Sequence, residues 1–311
     1  MNEYRGKHAS SQPWAVSSSA SVRRGKHEMR SKKKRRWRIF LSCLILLVLV
    51  FPFLQAQFLT TQYLQLTSDQ LPADLNHLRI VFLSDIHYGY WFSDSRLNGL
   101  VNRINSLKPD IVIFGGDYAT DNASAVQFFQ RLPNIHARYD ILGVMGEADR
   151  GVSSFDLSQL EDAMRSAGVK PLVNAVVPVR CGASIIYVAG SDDALTGAPD
   201  IAGMARKVKS SDYVIFVSHN PSLIPSAHEA TDASGSLGWF DLGLFGHTHG
   251  GQMLFFSSML DIADDVPERY RSGYRKENRS DLLISNGVGT SILPARLLIP
   301  AQIHCIELVV N

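Results

Sequence analysis

Ile-Val-Phe-Leu-Ser-Asp-Ile-His occupies positions 80–87 of the chain. Four consecutive apolar residues between polar neighbours predict a short strand that is buried on both faces. Asp85 and His87 follow this run at once, and side chains two residues apart on an extended backbone point to the same side. The stretch therefore predicts a buried strand with an acid and an imidazole at its carboxyl end.

The same arrangement of an apolar run and a polar tip recurs four more times along the chain. The further apolar runs are 111–114, 141–144, 214–217 and 242–245. Their tips are Gly-Gly-Asp at 115–117, Gly-Glu-Ala-Asp at 146–149, Ser-His-Asn at 218–220 and Gly-His-Thr-His-Gly-Gly at 246–251. The carboxyl ends of parallel strands share one edge of a sheet, where ligands bind. We therefore expect the five polar tips to meet in space.

Segments with helical spacing separate these apolar runs. They are 93–107, 122–132 and 156–167. Further strand-like stretches lie at 169–179, 185–189, 282–284 and 303–310. The first two of these stretches predict a hairpin. Alternation of strands and helices on this scale predicts a layered α/β domain.

The side chains at the five tips suit a metal site. Carboxylates and imidazoles together favour manganese, iron, zinc or cobalt. A carboxylate such as Asp117 can bridge two cations and hold them close together. Two such cations activate water at neutral pH and hold the oxygens of a phosphoryl group during in-line displacement. The pattern therefore predicts two divalent metal ions and a phosphoester substrate.

In chain order, Asp-x-His, Gly-Asp, a Gly-x-x-Asp turn, a lone His and Gly-His-x-His resemble the motifs of the calcineurin-like metallophosphoesterases. Each motif alone is common, but five in this order after five apolar runs are specific. The resemblance covers about 79–310 and implies a two-sheet α/β sandwich with flanking helices. It implies that one metal ion is held by Asp85, His87, Asp117 and His249. It implies that the second is held by Asp117, Glu147, His219 and His247.

The C-terminal part of the chain narrows this resemblance. Ser-Gly-Tyr at 272–274, the stretch 285–291 and Pro294-x-Arg296 are similar to a bacterial subgroup that carries an N-terminal membrane segment. Some members of that subgroup are associated with lipid-linked phosphodiester or pyrophosphate substrates, including UDP-diacylglucosamine. The resemblance implies a phosphodiester or pyrophosphate substrate and admits a lipid-linked one.

The turn at 146–149 departs from the family's Gly-Asn-His-Asp pattern. Glu147 stands where the family has an Asn that binds the second metal, and a carboxylate still coordinates a divalent cation. Ala148 stands where the family has a His that protonates the leaving group. Positioned proton transfer contributes roughly 10²–10⁴-fold to a rate. The substitution at position 148 therefore bears directly on turnover.

Three explanations for Ala148 are open. The substrate has a leaving group that is already stable as an anion, such as a pyrophosphate. Alternatively, Arg150 or another cation acts with His219 to stabilise charge on the phosphoryl oxygens. As a third option, the protein is a membrane-tethered metal- and phosphate-binding module with reduced or lost catalysis. Because the ligand set is otherwise complete, we favour the first two together, with His219 and Arg150 as catalytic residues.

Charge is distributed unevenly along the chain. Residues 1–38 contain twelve Lys and Arg against two acidic residues, so the remainder is acidic although the total is +2. A nucleic-acid surface needs a cationic footprint, and an acidic body argues against one. The chain also has neither a Gly-x-Ser-x-Gly elbow nor a P-loop, which argues against a serine hydrolase and a nucleotide-driven enzyme.

An uncharged apolar run occupies positions 39–59, directly after the basic stretch 32–38. About twenty such residues cross a bilayer as a helix. A cleaved signal peptide is less favoured, because the basic region is overlong and Leu54 stands where a small residue is expected. A nucleic-acid patch would not need the apolar run. We therefore expect one uncleaved signal-anchor.

These observations predict four segments. They are a basic disordered tail at 1–38, a transmembrane signal-anchor at 39–59, a linker at 60–78 and a metallophosphoesterase domain at 79–311. Basic residues flanking a span stay in the cytoplasm. The prediction is thus a single-pass protein of the cell membrane with its N-terminal side in the cytoplasm and its catalytic domain outside.

Overall fold

The computed structural model describes residues 19–89, 91–151, 157–254 and 265–311. The strands are β1 Leu59–Ser68, β2 Leu78–Leu83, β3 Ile111–Phe114, β4 Asp140–Gly143, β5 Lys170–Pro171, β6 Ala175–Cys181, β7 Ser184–Gly190, β8 Val214–Ser218, β9 Leu242–Phe245, β10 Gly273–Glu277, β11 Ser280–Ile284 and β12 Ala301–Val310. The α-helices are α1 Ser19–Gln55, α2 Asp94–Ser106, α3 Asn122–Arg131, α4 Glu147–Arg150, α5 Ser158–Ser166, α6 Ile201–Ala205 and α7 Ile224–Glu229.

The helix α1 contains a candidate membrane span at the expected place. Its segment Lys32–Gln55 is long and apolar enough to cross a membrane, and only 6% of its most apolar 18-residue stretch is buried. The helix begins at Ser19, so part of the expected disordered tail is helical. Residues 19–38 lack proline and are rich in Arg and Lys, which are good helix formers, so they extend the apolar helix toward the N-terminus. The expected disorder of 1–18 lies outside the described residues.

The chain divides into two compact units, one ending at Val50 and one beginning at Phe51. The second unit contains two six-stranded sheets. Strand order in the first is β1-β12-β2-β3-β4-β5, and in the second it is β10-β11-β9-β8-β7-β6. The three strands β2, β3 and β4 run parallel, as do β7, β8 and β9. The predicted α/β class with two sheets and flanking helices is therefore confirmed.

The main core lies between the two sheets. Ile80 and Phe82 of β2 belong to one buried cluster with Val188 of β7, Ile215 of β8 and Leu244 of β9. Alternate residues of the same strands face outward and are covered by helices. The outer cover of the first sheet comes from α2, α3 and α5, and that of the second from α6 and α7. Because both sheets are buried on both faces, the central strands are continuous apolar runs.

Two segments differ from the prediction. The linker expected at 60–78 instead contains β1, which pairs in parallel with β12 along its whole length. Its residues are mostly exposed or half-buried, since β1 is a sheet edge, and the sequence therefore lacks a buried-strand signal. The stretch 169–179 is not one hairpin strand. It supplies the short β5 to the first sheet and then most of β6, whose partner in the hairpin is β7.

The remaining predicted elements need only small changes. Predicted strands 111–114 and 242–245 coincide with β3 and β9, and the three predicted helices match α2, α3 and α5 to within two residues at each end. The proposed start of the third helix at Asp156 lies outside the described residues. The strand β10 was not predicted, because its burial alternates and its side chains are largely charged.

Candidate metal centre

The five polar tips meet where the parallel strands end. Asp85 and His87 follow β2, Asp117 follows β3, and Glu147 begins α4 after β4. His219 follows β8 of the second sheet, and the pair at 247 and 249 follows β9. The two sheets thus contribute candidate ligands to one largely buried site.

One group of donor atoms comes from Asp85, His87 and His249. Each offers one atom, and these three atoms lie within 4.8 Å of one another. The two imidazoles face each other with 3.0 Å between their Nε2 atoms. His249 Nε2 lies 3.8 Å from Asp85 Oδ1. All three residues are buried.

A second group comes from Glu147, His219 and His247, whose donor atoms also lie within 4.8 Å of one another. Glu147 Oε2 is 2.9 Å from His219 Nε2, and Glu147 Oε1 is 3.0 Å from His247 Nδ1. The carboxylate that replaces the family's Asn is thus oriented toward two imidazoles.

Asp117 lies between the two groups. Its Oδ2 is 3.5 Å from His87 Nε2 of the first group and 3.6 Å from His219 Nε2 of the second. Its donor atom also lies within 4.8 Å of those of Asp85 and His219. The structure therefore brings together all seven side chains that the sequence predicted as ligands.

Five of these seven residues have a left-handed backbone. The φ angles lie between 46° and 68° at Asp85, His87, Asp117, His247 and His249. Such angles are uncommon outside glycine, and they cluster at functional sites where the surrounding structure enforces them. The sharp turns at these strand ends are thus built from the candidate ligands themselves.

Asp149 joins the turn after β4 to the turn after β3 from inside the protein. It is buried, and its carboxylate accepts hydrogen bonds from the main-chain N–H groups of Gly146, Asp117 and Tyr118. Gly146 is needed here, because a Cβ at this position would overlap Asp117 Oδ1. Burial raises the pKa of Asp149 to about 7. Asp149 therefore supports both turns through hydrogen bonds to the main chain.

The imidazoles fall into two electrostatic classes. Burial lowers the pKa of His87. Burial also lowers the pKa of His249, and the nearby charges of His87 and Arg296 lower it further.

The other two imidazoles have raised pKa values. Burial opposes protonation of His219 as well, but the negative charges of Asp117 and Glu147 outweigh burial and hold the pKa of His219 well above the usual range. Burial likewise opposes protonation of His247, whereas hydrogen bonds to Asp265 and Glu147 raise its pKa to about 9. A cation entering the second group would displace protons from these two rings.

The donor set fits a divalent cation. Asp85 Oδ2 is buried and has no hydrogen-bond partner among the described residues, and the buried His219 Nε2 meets Glu147 Oε2 at 2.9 Å without hydrogen-bond geometry. A buried polar atom without a partner is costly, and metal coordination is one way to satisfy it. Oxygen and imidazole nitrogen donors in this ratio are typical of manganese, iron, zinc and cobalt sites. The residues present thus match the metal ions that the sequence predicted.

The two remaining residues of the predicted mechanism lie on α4. Ala148 is half-buried, and its N–H donates to Asp117 Oδ1 at 3.0 Å. Arg150 Nη1 donates to Asp192 Oδ1 at 2.6 Å. In the part of the chain that the structure describes, its side chain has no hydrogen bond or ion pair with the seven clustered residues. Arg150 is therefore near the cluster in sequence but engaged elsewhere.

The structure adds two residues to the site. Asp265 Oδ1 lies 3.1 Å from His247 Nε2, and its Oδ2 accepts a hydrogen bond from Asn220. A carboxylate behind an imidazole fixes the ring's orientation and tautomer. Arg296 is fully buried, and its guanidinium donates to the main-chain oxygens of Asn286 and Gly289 and approaches His249 Nδ1 at 3.4 Å. Sequence reasoning missed both roles, because neither follows an apolar run.

Comparison with known proteins agrees with this geometry. The family model described as calcineurin-like phosphoesterase matches residues 78–251. YkuE of Bacillus subtilis, an uncharacterized metallophosphoesterase, is 26% identical over 81% of this chain and 86% of its own length. YpbG of the same organism, an uncharacterized protein, is 30% identical over 74% of this chain and 81% of its own. Phosphodiesterase YaeI of Escherichia coli is 26% identical over 74% of this chain and 82% of its own.

The chain therefore belongs to the calcineurin-like phosphoesterase family. The predicted membership of this family is confirmed. The family consists of metal-dependent hydrolases, and one of the relatives of this chain is named a phosphodiesterase. The candidate membrane helix accompanies this domain in the same chain.

Proposed function

We propose that this protein is a membrane-anchored hydrolase of phosphodiester or pyrophosphate bonds that works with two divalent metal ions. The observation that carries the proposal is the gathering of seven donors, six of them buried and Glu147 half-buried, into two groups with Asp117 between them. Asp85, His87 and His249 hold one cation in this proposal, and Glu147, His219 and His247 hold the other. When bound, such a pair activates water and offsets charge on the phosphoryl oxygens.

The chain's own residues orient this site. Gly115 O, 2.8 Å from His219 Nδ1, is positioned to accept a hydrogen bond from that nitrogen and leave Nε2 directed at the cluster. Asp85 Oδ1 accepts a hydrogen bond from the N–H of His247 and thereby ties the first tip to the fifth. Preorganised donors of this kind need little rearrangement during reaction. With Nδ1 toward Gly115 O and Nε2 toward the cluster, His219 lies between the Asp117 and Glu147 carboxylates, and its catalytic part in this proposal is to help hold positive charge beside the phosphoryl oxygens.

The substrate class follows from position 148. Ala148 has no group that can protonate a leaving oxygen, so bonds whose leaving group is stable as an anion are favoured. A pyrophosphate meets this condition. We propose Arg150 as a further source of positive charge, which requires it to share or release Asp192. The membrane span makes a lipid-linked substrate the natural one for this site.

A second candidate is a binding module that holds metal and phosphate without useful turnover. The observation that favours it is the same Ala148, which removes the family's proton donor. In both cases we place the anchor in the cell membrane, with the basic N-terminal flank in the cytoplasm and the domain outside.

Turnover separates the two candidates. The purified full chain with Mn²⁺ is expected to hydrolyse bis(p-nitrophenyl) phosphate, and Asp117→Asn is expected to lose more than about 100-fold, because metal catalysis contributes several kcal/mol. Asp and Asn have nearly the same shape, so the variant tests charge. Metal-loaded wild-type protein that is no faster than Asp117→Asn on this diester or on a pyrophosphate would favour the binding module. Protein with neither metal nor turnover would refute both.

A further inference from the structure

Large apolar side chains are exposed in one region of the second unit. Five of them, between 43% and 68% exposed, form what we call the apolar patch. Its members are Phe58, Leu254, Ile292, Leu293 and Leu298. Single exposed apolar residues are common in soluble proteins, but several on linked segments indicate an interaction surface.

Hydrogen bonds join these segments to the end of the membrane span. Leu298 N–H donates to Gln55 Oε1 at 2.9 Å, and Arg296 N–H donates to Pro52 O at the same distance. Phe58 N–H donates to Gln55 O at 3.1 Å. Because the span ends at Gln55, residues bonded to its last turn lie near the level where lipid meets water.

The other patch residues are tied to the same place. Leu254 N–H donates to Leu297 O at 3.1 Å, and the Gln252 side chain donates to Leu293 O at 2.7 Å. The loops 252–254 and 291–298 therefore form one bonded unit with the last turn of α1.

Polar and aromatic groups of interfacial type lie beside the patch. Arg96 donates to Ala56 O and to Trp91 O, both at 2.9 Å, and Trp91 itself is half-exposed. Tryptophan is enriched at the membrane–water interface, and basic residues there attract anionic headgroups. This setting suits a lipid surface better than a protein partner. The adjoining candidate span ends here, so lipid headgroups already surround this part of the chain.

We propose that the apolar patch dips into the bilayer interface and presents the metal centre to the headgroup layer. Two residues of the centre lie close to these segments along the chain: His249 is five residues before Leu254, and His87 is four residues before Trp91. The part of this inference that concerns the substrate rests on the proposed function. It identifies the substrate as a phosphoester in the headgroup region of the bilayer. The lipid contact itself rests on the patch and its hydrogen bonds to the end of the candidate span, independently of the proposed function.

Lipid contact is tested in the full chain with single reporter cysteines. Cys43 lies exposed in the span and is replaced by Ala, whereas Cys181 and Cys305 are buried. Ile292→Cys and Leu298→Cys carry an environment-sensitive fluorophore in vesicles of phosphatidylethanolamine and phosphatidylglycerol. Leu237→Cys is the matched control, because Leu237 is equally exposed but precedes β9, at the end of the strand away from the site.

We expect blue-shifted emission and quenching by nitroxide-labelled lipid at positions 292 and 298, and quenching by aqueous iodide at 237. Emission and quenching at 292 and 298 that match position 237 would overturn the proposal. Circular dichroism and a cooperative thermal transition show that the samples are folded, and turnover of bis(p-nitrophenyl) phosphate by the same samples tests the enzyme. Lost lipid quenching with intact turnover rejects the patch and leaves the proposed function. Intact quenching in protein without turnover supports the patch and rejects the enzyme.

A second pair of variants tests whether the patch presents the site to a lipid-embedded substrate. Ile292→Glu combined with Leu298→Glu should lower hydrolysis of a lipid pyrophosphate embedded in the vesicles while leaving the soluble diester unaffected. Leu237→Glu should leave both rates unchanged. An equal ratio of the two rates in all three proteins would overturn the claim that the patch presents the site to lipid.

Discussion

Positive φ angles at five of the seven clustered residues show how the chain places its metal donors. A left-handed backbone costs a non-glycine residue about 1–2 kcal/mol. Hydrogen bonds from the surrounding structure offset that cost. The Asp149 carboxylate accepts a hydrogen bond from the main-chain N–H of Asp117, and Asp85 Oδ1 accepts one from the main-chain N–H of His247. The fold thus gives up stability at each strand end in order to hold the donors in one orientation, as strained functional sites do.

Position 148 carries the most direct test at the scale of one residue. Ala148→His restores a proton donor on α4 and should raise turnover of a phosphodiester with a poor leaving group by roughly 100-fold, the lower end of the range for general acids. Turnover of an activated diester, whose leaving group needs no proton, should change little. Steady-state rates on a matched pair of alkyl and nitrophenyl diesters measure the difference.

The control for this substitution is Ala148→Gln, which adds a polar side chain that does not transfer protons near neutral pH. It should leave both rates near those of the wild type. If Ala148→His gains nothing on the alkyl diester, the absent general acid does not explain the choice of substrate.

At the scale of elements, the loop after β11 clamps the first metal-binding tip. Gly289 N–H donates to Asp85 O at 2.7 Å, and Val288 N–H donates to Ser84 O at 3.0 Å. Arg296 holds this loop from behind through the main-chain oxygens of Asn286 and Gly289. The tip that carries Asp85 and His87 is therefore fixed by a segment about 200 residues further along the chain.

Gly289→Ala tests this clamp. A Cβ at position 289 would overlap the main-chain oxygen of Ile86, which cannot move aside without displacing its neighbours Asp85 and His87. We expect metal affinity to fall by about 10–100-fold, as for other supports behind metal ligands. Calorimetric titration with Mn²⁺ measures the affinity.

Gly99→Ala is the matched control, since nothing lies within 4 Å of a Cβ at that position of α2. It should retain the metal affinity and raise the free energy of unfolding by about 0.5–1 kcal/mol, because alanine favours a helix over glycine. Unchanged metal affinity in Gly289→Ala would show that the loop does not set the geometry of the first tip.

The sequence predicts elements well where one local pattern suffices. Each of the five central strands is an apolar run, and each ligand follows such a run or a glycine turn. By contrast, β1 and β10 are edge strands with exposed, polar residues, so only their partners define them. Asp265 and Arg296 reach the site through long-range contacts that no local pattern encodes. Arg150 was placed in the mechanism by its position in the chain, whereas its partner Asp192 comes from a different strand end.

At the scale of the whole molecule, the basic stretch before the span predicts the orientation of the domain. Protease added to right-side-out membrane vesicles should degrade the domain from residue 60 onward, and inverted vesicles should protect it. Replacing Lys32, Lys33, Lys34, Arg35 and Arg36 by Gln should weaken this preference and give a mixed population. Protection in right-side-out vesicles of the wild type would place the domain in the cytoplasm.

The central claim is that two cations share one site across two sheets, and metal content tests it most directly. Elemental analysis of the purified full chain should find about two divalent ions per chain, as in other two-metal hydrolases. His87→Gln and His247→Gln should each retain about one, since each removes a donor from a different group. Wild-type protein without bound metal, or three proteins with equal metal content, would contradict the account.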